Sequence, residues 1–458
     1  MAFFRPLTTG VAVAAALALL SACGTSAATT SKTPAATGGK VDISVVSLVP
    51  GSEKSAFKAF DDQVAIFEKS HPNVTVKPVE YEWKGTTFAA QLAGGTLPTV
   101  FEVPFTDAQS LIQNKQVADI SAEVKKLPYS GDFNPSVLSE MSADGKIYAL
   151  PKGAYGTGLQ YNRALFTKAG LNPDHPPTTW EEVRKDAKAI SDATGKAGFV
   201  MMGSANTGGW NLTTMTYSFG GRMEATTNGK TVATVDNPAT TQALQMLKAM
   251  RWKDNSMGSS FLLDWAGMNQ AFAAGKVGMY ISGSDVYGAL RQSNNIDPKT
   301  YGLTALPMSD SPDAALLGGG TLGAVKPTAS AAEKRAAVEW MDFYYLRKQT
   351  NKQEAIQDAK TVAASKQPVG VPQLPLLDRK TLETYQGWIK PYINVPLDQM
   401  TGFTSKVYDQ NLKPEPAANT QALYGSLDSV VQKVMTDSGA DVPTLLKQAQ
   451  TNADSIVK

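Results

Sequence analysis

This chain has few residues that could support histidine-dependent catalysis or bind a metal ion. Among its 458 residues are two histidines, His71 and His175, each beside prolines, and a single cysteine, Cys23. A hydrolase triad or a zinc site usually needs histidine or a cysteine cluster, and neither His-Glu-x-x-His nor Gly-x-Ser-x-Gly occurs. We therefore expect no metal and no cofactor, and we interpret both histidines as turn or surface residues.

Carboxylates could support catalysis without histidine. Glu80, Glu82, Glu102 and Asp107 lie near one another in the sequence. Two carboxyl groups at a suitable separation can hydrolyse a glycosidic bond. The sequence does not give that separation, so a glycoside hydrolase stays an alternative hypothesis.

A glycine motif could bind a dinucleotide. Gly318, Gly320 and Gly323 match the spacing Gly-x-Gly-x-x-Gly, but the chain continues Ala-Val-Lys-Pro. The dinucleotide motif needs a helix at this point, whose N-terminal amides meet the pyrophosphate. A strand stopped by proline does not supply one. We expect these glycines to allow close approach of backbone to backbone or to ligand.

The elements that must position such residues begin with a β-α-β pattern. An apolar strand is predicted over Asp42–Val49, then a helix with Phe57, Phe60, Val64 and Phe67 on one face, then a strand over Val74–Val79. This order is typical of a mainly parallel sheet covered by helices. Further predicted elements are a helix at 88–92, a strand at 99–103, and helices at 179–193, 240–252 and 331–346.

Composition agrees with a folded chain of two domains. Charged residues make up 18% and hydrophobic residues 42%, and the formal net charge is +2. The length is enough for two hydrophobic cores. The charge balance gives no electrostatic footprint for nucleic acid.

The N-terminus is typical of an exported protein. Arg5 precedes an apolar run over Val11–Leu20, which is shorter than the roughly 20 residues of a membrane-spanning helix. Leu-Ser-Ala-Cys at residues 20–23 resembles the bacterial lipobox. We expect a signal peptide at 1–22, lipidation of Cys23, and a flexible tether over 23–40, which is rich in Thr, Ser, Ala and Gly.

Several segments together resemble the extracellular solute-binding proteins of ABC importers, the large family that binds oligosaccharides and other polar solutes. Their order and spacing span nearly all of the predicted folded part. Thr99 stands where the family usually has Asp. The matching segments are Ala93–Val100, Asp144–Pro151, Gly158–Asn162, Leu165–Phe166, Ala169–Leu171, Pro176–Glu182, Ala271–Met279 and Leu317–Val325.

The resemblance implies an α/β fold of the type II periplasmic-binding-protein class. Two α/β lobes would be joined by crossing hinge strands, with the ligand in the cleft between them. We expect crossings near 153–156, 307–313 and 371–377. The predicted N-terminal lobe is 41–153 plus 312–374, and the C-terminal lobe is 154–311 plus 375–458.

Sugar recognition needs aromatic faces and fixed polar groups in a cleft. The resemblance, together with predicted strand ends, identifies ten candidate ligand residues. Core packing is an alternative for Tyr155, and helix N-capping is an alternative for Asp285. The candidates are Trp83, Glu102, Phe105, Tyr155, Trp210, Asn211, Asp285, Gly320, Thr321 and Phe403.

The functional expectation is an extracytoplasmic binding protein, not an enzyme. It would be a monomer, anchored through Cys23 at the outer face of the membrane, that closes around a carbohydrate, favoured as an oligosaccharide, and delivers it to an ABC permease. Another polar solute, such as a polyamine, peptide or glycerophosphodiester, stays open because a fold does not fix its ligand.

Overall fold

The computed structural model describes residues 39–48, 50–51 and 54–457. The predicted signal peptide, Cys23 and nearly all of the predicted tether lie outside the described residues. Within these ranges, no helix combines the length and apolarity needed to cross a bilayer. Residues from Lys40 onward form one compact unit.

Strands and helices alternate along much of the described chain. Its strands are β1 (Val41–Val46), β2 (Val74–Val79), β3 (Val100–Pro104), β4 (Ser142–Ala143), β5 (Lys146–Ile147), β6 (Ala149–Asn162), β7 (Ala197–Phe199), β8 (Glu224–Thr227), β9 (Lys230–Ala233), β10 (Val277–Gly283), β11 (Tyr301–Ala305), β12 (Leu316–Val325) and β13 (Leu412–Pro414). Its helices are α1 (Lys54–Ser70), α2 (Gly85–Ala93), α3 (Phe105–Gln113), α4 (Ser121–Val124), α5 (Pro135–Glu140), α6 (Arg163–Lys168), α7 (Trp180–Thr194), α8 (Thr207–Ser218), α9 (Pro238–Lys248), α10 (Trp265–Ala273), α11 (Tyr287–Ser293), α12 (Ala331–Met341), α13 (Arg347–Thr350), α14 (Lys352–Ala364), α15 (Arg379–Ile389), α16 (Thr401–Thr404), α17 (Thr420–Thr436) and α18 (Val442–Ile456).

The main sheet has the strand order β2-β1-β3-β12-β6-β10-β7, with β11 also paired to β6 and β13 to β12. β1 runs parallel to both β2 and β3. This confirms the predicted β-α-β opening. Two small hairpins, β4–β5 and β8–β9, lie outside the main sheet.

Two long strands belong to both halves of the sheet. Residues 149–156 of β6 pair antiparallel with β12, whereas residues 157–162 pair with β10 and β11. β12 continues the other half through its antiparallel pairing with β3. The amide of Leu374 also donates to the Ala154 carbonyl at 3.0 Å. The segments near 153–156 and 371–377 therefore meet at the centre of the molecule, and the lobe boundaries given above stay a prediction.

Helix periodicity follows burial closely. α1 buries Phe60, Val64 and Phe67, three of the four residues predicted to face the core, while Phe57 is half-buried. α7 buries its predicted face, and the Thr179 hydroxyl caps it by accepting from the Glu182 amide at 3.1 Å. The predicted helices at 240–252 and 331–346 are each an α-helix that ends in a π-helical turn, at Ala249–Lys253 and Asp342–Leu346.

Helix α7 and strand β7 approach too closely for a side chain at Gly198. A Cβ placed there would lie 1.8 Å from the Ala187 carbonyl oxygen, which is helix backbone. We expect Gly198→Ala to lower the free energy of unfolding by about 1–3 kcal/mol through overpacking. Urea unfolding would measure it. The control is Gly387→Ala in α15, where nothing lies within 4 Å of the added Cβ. Equal stability of both variants would contradict the packing argument.

Candidate ligand-binding cleft

A cleft opens where β6 and β12 cross, and it has two adjoining compartments. The polar compartment, about 470 Å³, is lined mainly by 104–106, 152–155 and 319–321 together with Gln373. The aromatic compartment, about 360 Å³, is lined mainly by 205–207, 282–283, Trp210, Trp265 and Tyr424. Both volumes fall in the range of small-molecule pockets, about 300–1,000 Å³. The compartments share Tyr155, Asp285, Glu415 and Gln421.

Glycines of β12 let the crossing strands approach. A Cβ on Gly320 would lie 2.3 Å from the Gly153 carbonyl oxygen and 2.8 Å from the Phe105 ring. The glycines thus serve backbone contact, as predicted. Gly318, Gly320 and Gly323 all lie inside a strand, so no helix N-terminus follows them to hold a pyrophosphate.

A β-bulge directs side chains into the polar compartment. Thr321 pairs with Gly153 and Leu322 pairs with Pro151, which leaves Lys152 without a partner on β12. Bulges of this kind re-aim side chains beside functional sites. The Lys152 ammonium lies 2.7 Å from the Glu102 carboxylate, so this cation is already neutralised.

A buried carboxylate sits at the junction of the two compartments. The Tyr155 hydroxyl donates to Glu415 Oε1 at 2.8 Å, and the Tyr424 hydroxyl donates to Oε2 at 3.2 Å. The Tyr155 ring fits between two glycines, because a Cβ on Gly319 would lie 2.5 Å from its hydroxyl and one on Gly283 would lie 3.2 Å from its ring. The glycines therefore fix the position of Tyr155.

The cleft is negatively charged. Burial raises the pKa of Glu415 to about 6, against the opposing effect of the hydrogen bond from Tyr155. The Asp285 side chain is exposed to the cleft, yet protein atoms around it displace water and raise its pKa. Lys152 is the one cation among the described residues that line the two compartments.

The glycines before Trp210 would, from the sequence alone, predict a flexible turn, and this prediction is wrong: Trp210 lies in the first turn of α8. Gly208 and Gly209 are helical, and a Cβ on Gly209 would lie 2.2 Å from the Tyr424 carbonyl oxygen of α17. These glycines therefore permit close packing of α8 on α17. The packing brings the Trp210 ring to 6.4 Å from the Tyr155 ring, edge to face.

Six of the ten candidate residues line the cleft: Phe105, Tyr155, Trp210, Asp285, Gly320 and Thr321. Four do not. Trp83 donates from its indole to Asp107 at 3.2 Å, and Glu102 is paired with Lys152. Asn211 is buried and accepts from the Met202 amide at 3.3 Å. Phe403 is fully buried and lines a different cavity of about 500 Å³, between α14, α15 and α16.

Among the cleft residues that sequence reasoning missed are Trp265, Gln373, Glu415, Gln421 and Tyr424. Gln421 and Tyr424 are three residues apart, so both lie on the cleft face of α17. Trp265 is the first residue of α10 and is 44% exposed, an unusual position for tryptophan. No local motif marks Glu415, which only the fold brings to Tyr155.

The four clustered carboxylates of the hydrolase hypothesis do not line the cleft. Glu80 is exposed, Glu82 pairs with Lys84 at 2.7 Å, and Asp107 accepts from Trp83. Across the described ranges, no three His, Cys, Asp or Glu side chains are grouped as metal ligands. The carboxylates that the hydrolase hypothesis invokes are therefore not part of the lining of either compartment.

Comparison with known proteins identifies the family. A family profile described as bacterial extracellular solute-binding protein matches residues 62–367. The chain belongs to this family. Among curated relatives, the chain is 26% identical over 297 residues to an ABC transporter extracellular-binding protein, PH1039, of Pyrococcus horikoshii. The alignment covers 61% of this chain and 65% of that protein, which is slightly less than two thirds of the relative's length.

Solved structures share the fold. The cyclic α-maltosyl-1,6-maltose-binding protein of Arthrobacter globiformis gives a TM-score of 0.71 at 21% identity, covering 92% of this chain and all of that one. UgpB of Mycobacterium tuberculosis, solved with glycerophosphocholine, gives a TM-score of 0.66 at 19% identity, covering 91% of this chain and 98% of that one. The fold is therefore the two-lobed, type II periplasmic-binding-protein fold, as predicted.

The raised pKa of Glu415 makes a stability prediction. A carboxyl group whose pKa lies above its ordinary value, here about 6 against 4.5, favours the folded state only while it is protonated. This contribution is complete below about pH 4.5 and is lost as the pH rises through 6. The free energy of unfolding of wild type should therefore fall by roughly 2 kcal/mol, relative to that of Glu415→Gln, as the pH rises from below 4.5 to above 6. Urea unfolding at several pH values would measure this difference.

The control for this measurement is Glu383→Gln, an exposed carboxylate on α15. The difference in free energy of unfolding between this variant and wild type should not change over the same pH interval. A flat difference for Glu415→Gln as well would mean that Glu415 is hydrated in the folded protein.

Proposed function

We propose that this protein is the extracytoplasmic binding component of an ABC importer and that it captures a saccharide in the cleft at the crossing strands. The family assignment supports solute binding, and the name of the Pyrococcus relative supports the ABC transporter context. The structural neighbour from Arthrobacter, named for a maltose-derived cyclic sugar, supports a carbohydrate ligand.

The observation that carries the proposal is the combination of aromatic faces with polar side chains in one cleft. Trp210, Trp265 and Tyr155 offer faces for the apolar C–H surface of a sugar ring. Thr321 and Gln373 in the polar compartment, with Asp285 between the compartments, offer donors and acceptors for hydroxyl groups. A carboxylate accepts such hydrogen bonds strongly because it is charged.

Lobe closure follows from where these residues lie. Phe105 follows β3, and Thr321 lies in β12, which pairs with β3. Asp285 follows β10 in the other half of the sheet, and Trp210 and Tyr424 lie in helices α8 and α17. A ligand that contacts both groups stabilises the closed state over the open one. The permease would then recognise the closed form.

The anchor proposal concerns the N-terminus. Cleavage before Cys23 and lipidation of its thiol would hold a monomer at the outer face of the membrane, and 23–40 would tether it. Metabolic labelling with a radioactive fatty acid should label the wild-type protein and not Cys23→Ser. Labelling of both would remove Cys23 as the lipidation site.

The alternatives are less well supported. None of the four carboxylates of the hydrolase hypothesis lines the cleft, and three of them, Glu82, Glu102 and Asp107, are partnered by Lys84, Lys152 and Trp83. A phosphodiester is favoured by cationic side chains, and Lys152, the one cation among the described residues that line the cleft, is paired with Glu102. Incubation with oligosaccharides should leave them intact; shorter products that disappear in Glu102→Gln would establish the hydrolase instead.

Trp210 provides the direct test of saccharide binding. Trp210→Ala removes a stacking face and should weaken saccharide binding by about ten-fold or more, without loss of folding. Isothermal titration calorimetry would measure it, after a thermal-shift screen of the wild-type protein against saccharides, amino acids, peptides and polyamines has found a ligand.

The control is Trp252→Ala, an exposed tryptophan that does not line the cleft and bonds to the Val434 carbonyl. Its affinity should match wild type. If Trp210→Ala binds as tightly as this control, the aromatic compartment is not the saccharide site.

A further inference from the structure

The aromatic compartment joins two kinds of groups that both attract cations. Four rings line it, those of Tyr155, Trp210, Trp265 and Tyr424. Ring faces attract cations through their quadrupole, and tryptophan does so best. Trp265 is 44% exposed at this compartment, so its ring is available to a ligand. These rings alone would suit a sugar face as well as a cation.

Negative charge distinguishes the two uses. The carboxylates of Asp285 and Glu415 both line the aromatic compartment. Neither forms an ion pair with Lys, Arg or His in the part of the chain that the structure describes. Lys152 lines only the polar compartment and is paired with Glu102 at 2.7 Å. The charge of these two acids is thus not balanced by the protein.

An ammonium group matches the acceptors that line this compartment. A protonated amine carries three donors and no acceptor. The carboxylates of Asp285 and Glu415 are both able to accept from it.

We infer that the aromatic compartment binds an alkylammonium cation carried by the ligand, so that the captured saccharide is an amino sugar with a free, protonated amine. This rests on the proposed saccharide function and makes it narrower. The polar compartment, with Thr106, Thr321 and Gln373, takes the hydroxyl groups of the same molecule. A phosphorylated or carboxylated sugar is disfavoured, because Asp285 and Glu415 repel it.

The test compares two trisaccharides that share a sugar backbone and differ in N-acetylation, which removes the positive charge of each amine. Glucosamine trisaccharide has protonated amines below neutral pH, and its N-acetylated counterpart, chitotriose, is neutral. Calorimetry with the purified protein should show the amine form binding roughly ten-fold more tightly or better. Asp285→Asn should lower the affinity for the amine form much more than the affinity for chitotriose, and so remove most of this preference. Trp265→Leu should weaken binding of both trisaccharides.

The matched control is Asp236→Asn, which removes an exposed carboxylate that does not line the cleft. Its preference should equal that of wild type. Raising the salt concentration should reduce the preference of wild type and leave chitotriose affinity nearly unchanged, because salt screens the charge interaction.

Three outcomes overturn the inference, and a fourth would keep the cation site but remove the saccharide from it. Equal affinity for the two trisaccharides, a preference for chitotriose, or a preference that survives Asp285→Asn would each overturn it, and the saccharide function would stand. Choline and glycerophosphocholine form the second arm. Binding of choline that depends on Asp285, with no binding of any saccharide, would support the cation site and overturn the saccharide function.

Discussion

The antiparallel pairing of β6 with β12 positions the residues of both strands that line the cleft. These strands approach closely because Gly319 and Gly320 of β12 carry no side chain. A Cβ on Gly320 would lie 2.3 Å from the Gly153 carbonyl oxygen, and one on Gly319 would lie 2.5 Å from the Tyr155 hydroxyl. The same contact places Tyr155 on one strand and Thr321 on the other at the cleft. Larger residues at these positions would separate the strands and displace both walls together.

Charge in the cleft follows from how its ionisable groups are partnered. Lys152 is neutralised by Glu102, which belongs to the neighbouring strand β3, whereas Glu415 accepts hydrogen bonds from the hydroxyls of Tyr155 and Tyr424. Tyrosine stabilises a carboxylate by hydrogen bonding without cancelling its charge. The cleft is therefore negative although the whole chain is close to neutral, with a formal net charge of +2. Composition alone says nothing about this local potential.

Helix packing decides which aromatic rings face the ligand. Gly209 allows the backbone of α8 to touch α17 at Tyr424, and this contact carries Trp210 toward Tyr155. Read as a sequence, Gly208-Gly209 is typical of a flexible turn, because glycine is the most permissive residue. In the folded protein the same pair lies in a helix. The absence of a side chain serves packing here, and the backbone is fixed by regular hydrogen bonds.

The sequence by itself determined the elements and the family, because apolar periodicity and local motifs are properties of neighbouring residues. It gave α1 with its buried face, the parallel opening of β1 and β2, and the strand at Gly318–Gly323 in place of a nucleotide loop. It also identified six residues that line the cleft, among them Tyr155, Trp210 and Asp285. The tertiary structure alone decided the partners of Glu415, which lies 260 residues from Tyr155, and the burial of Phe403 beneath β6. Such contacts join residues distant in the chain, and only the packing of strands and helices brings them together.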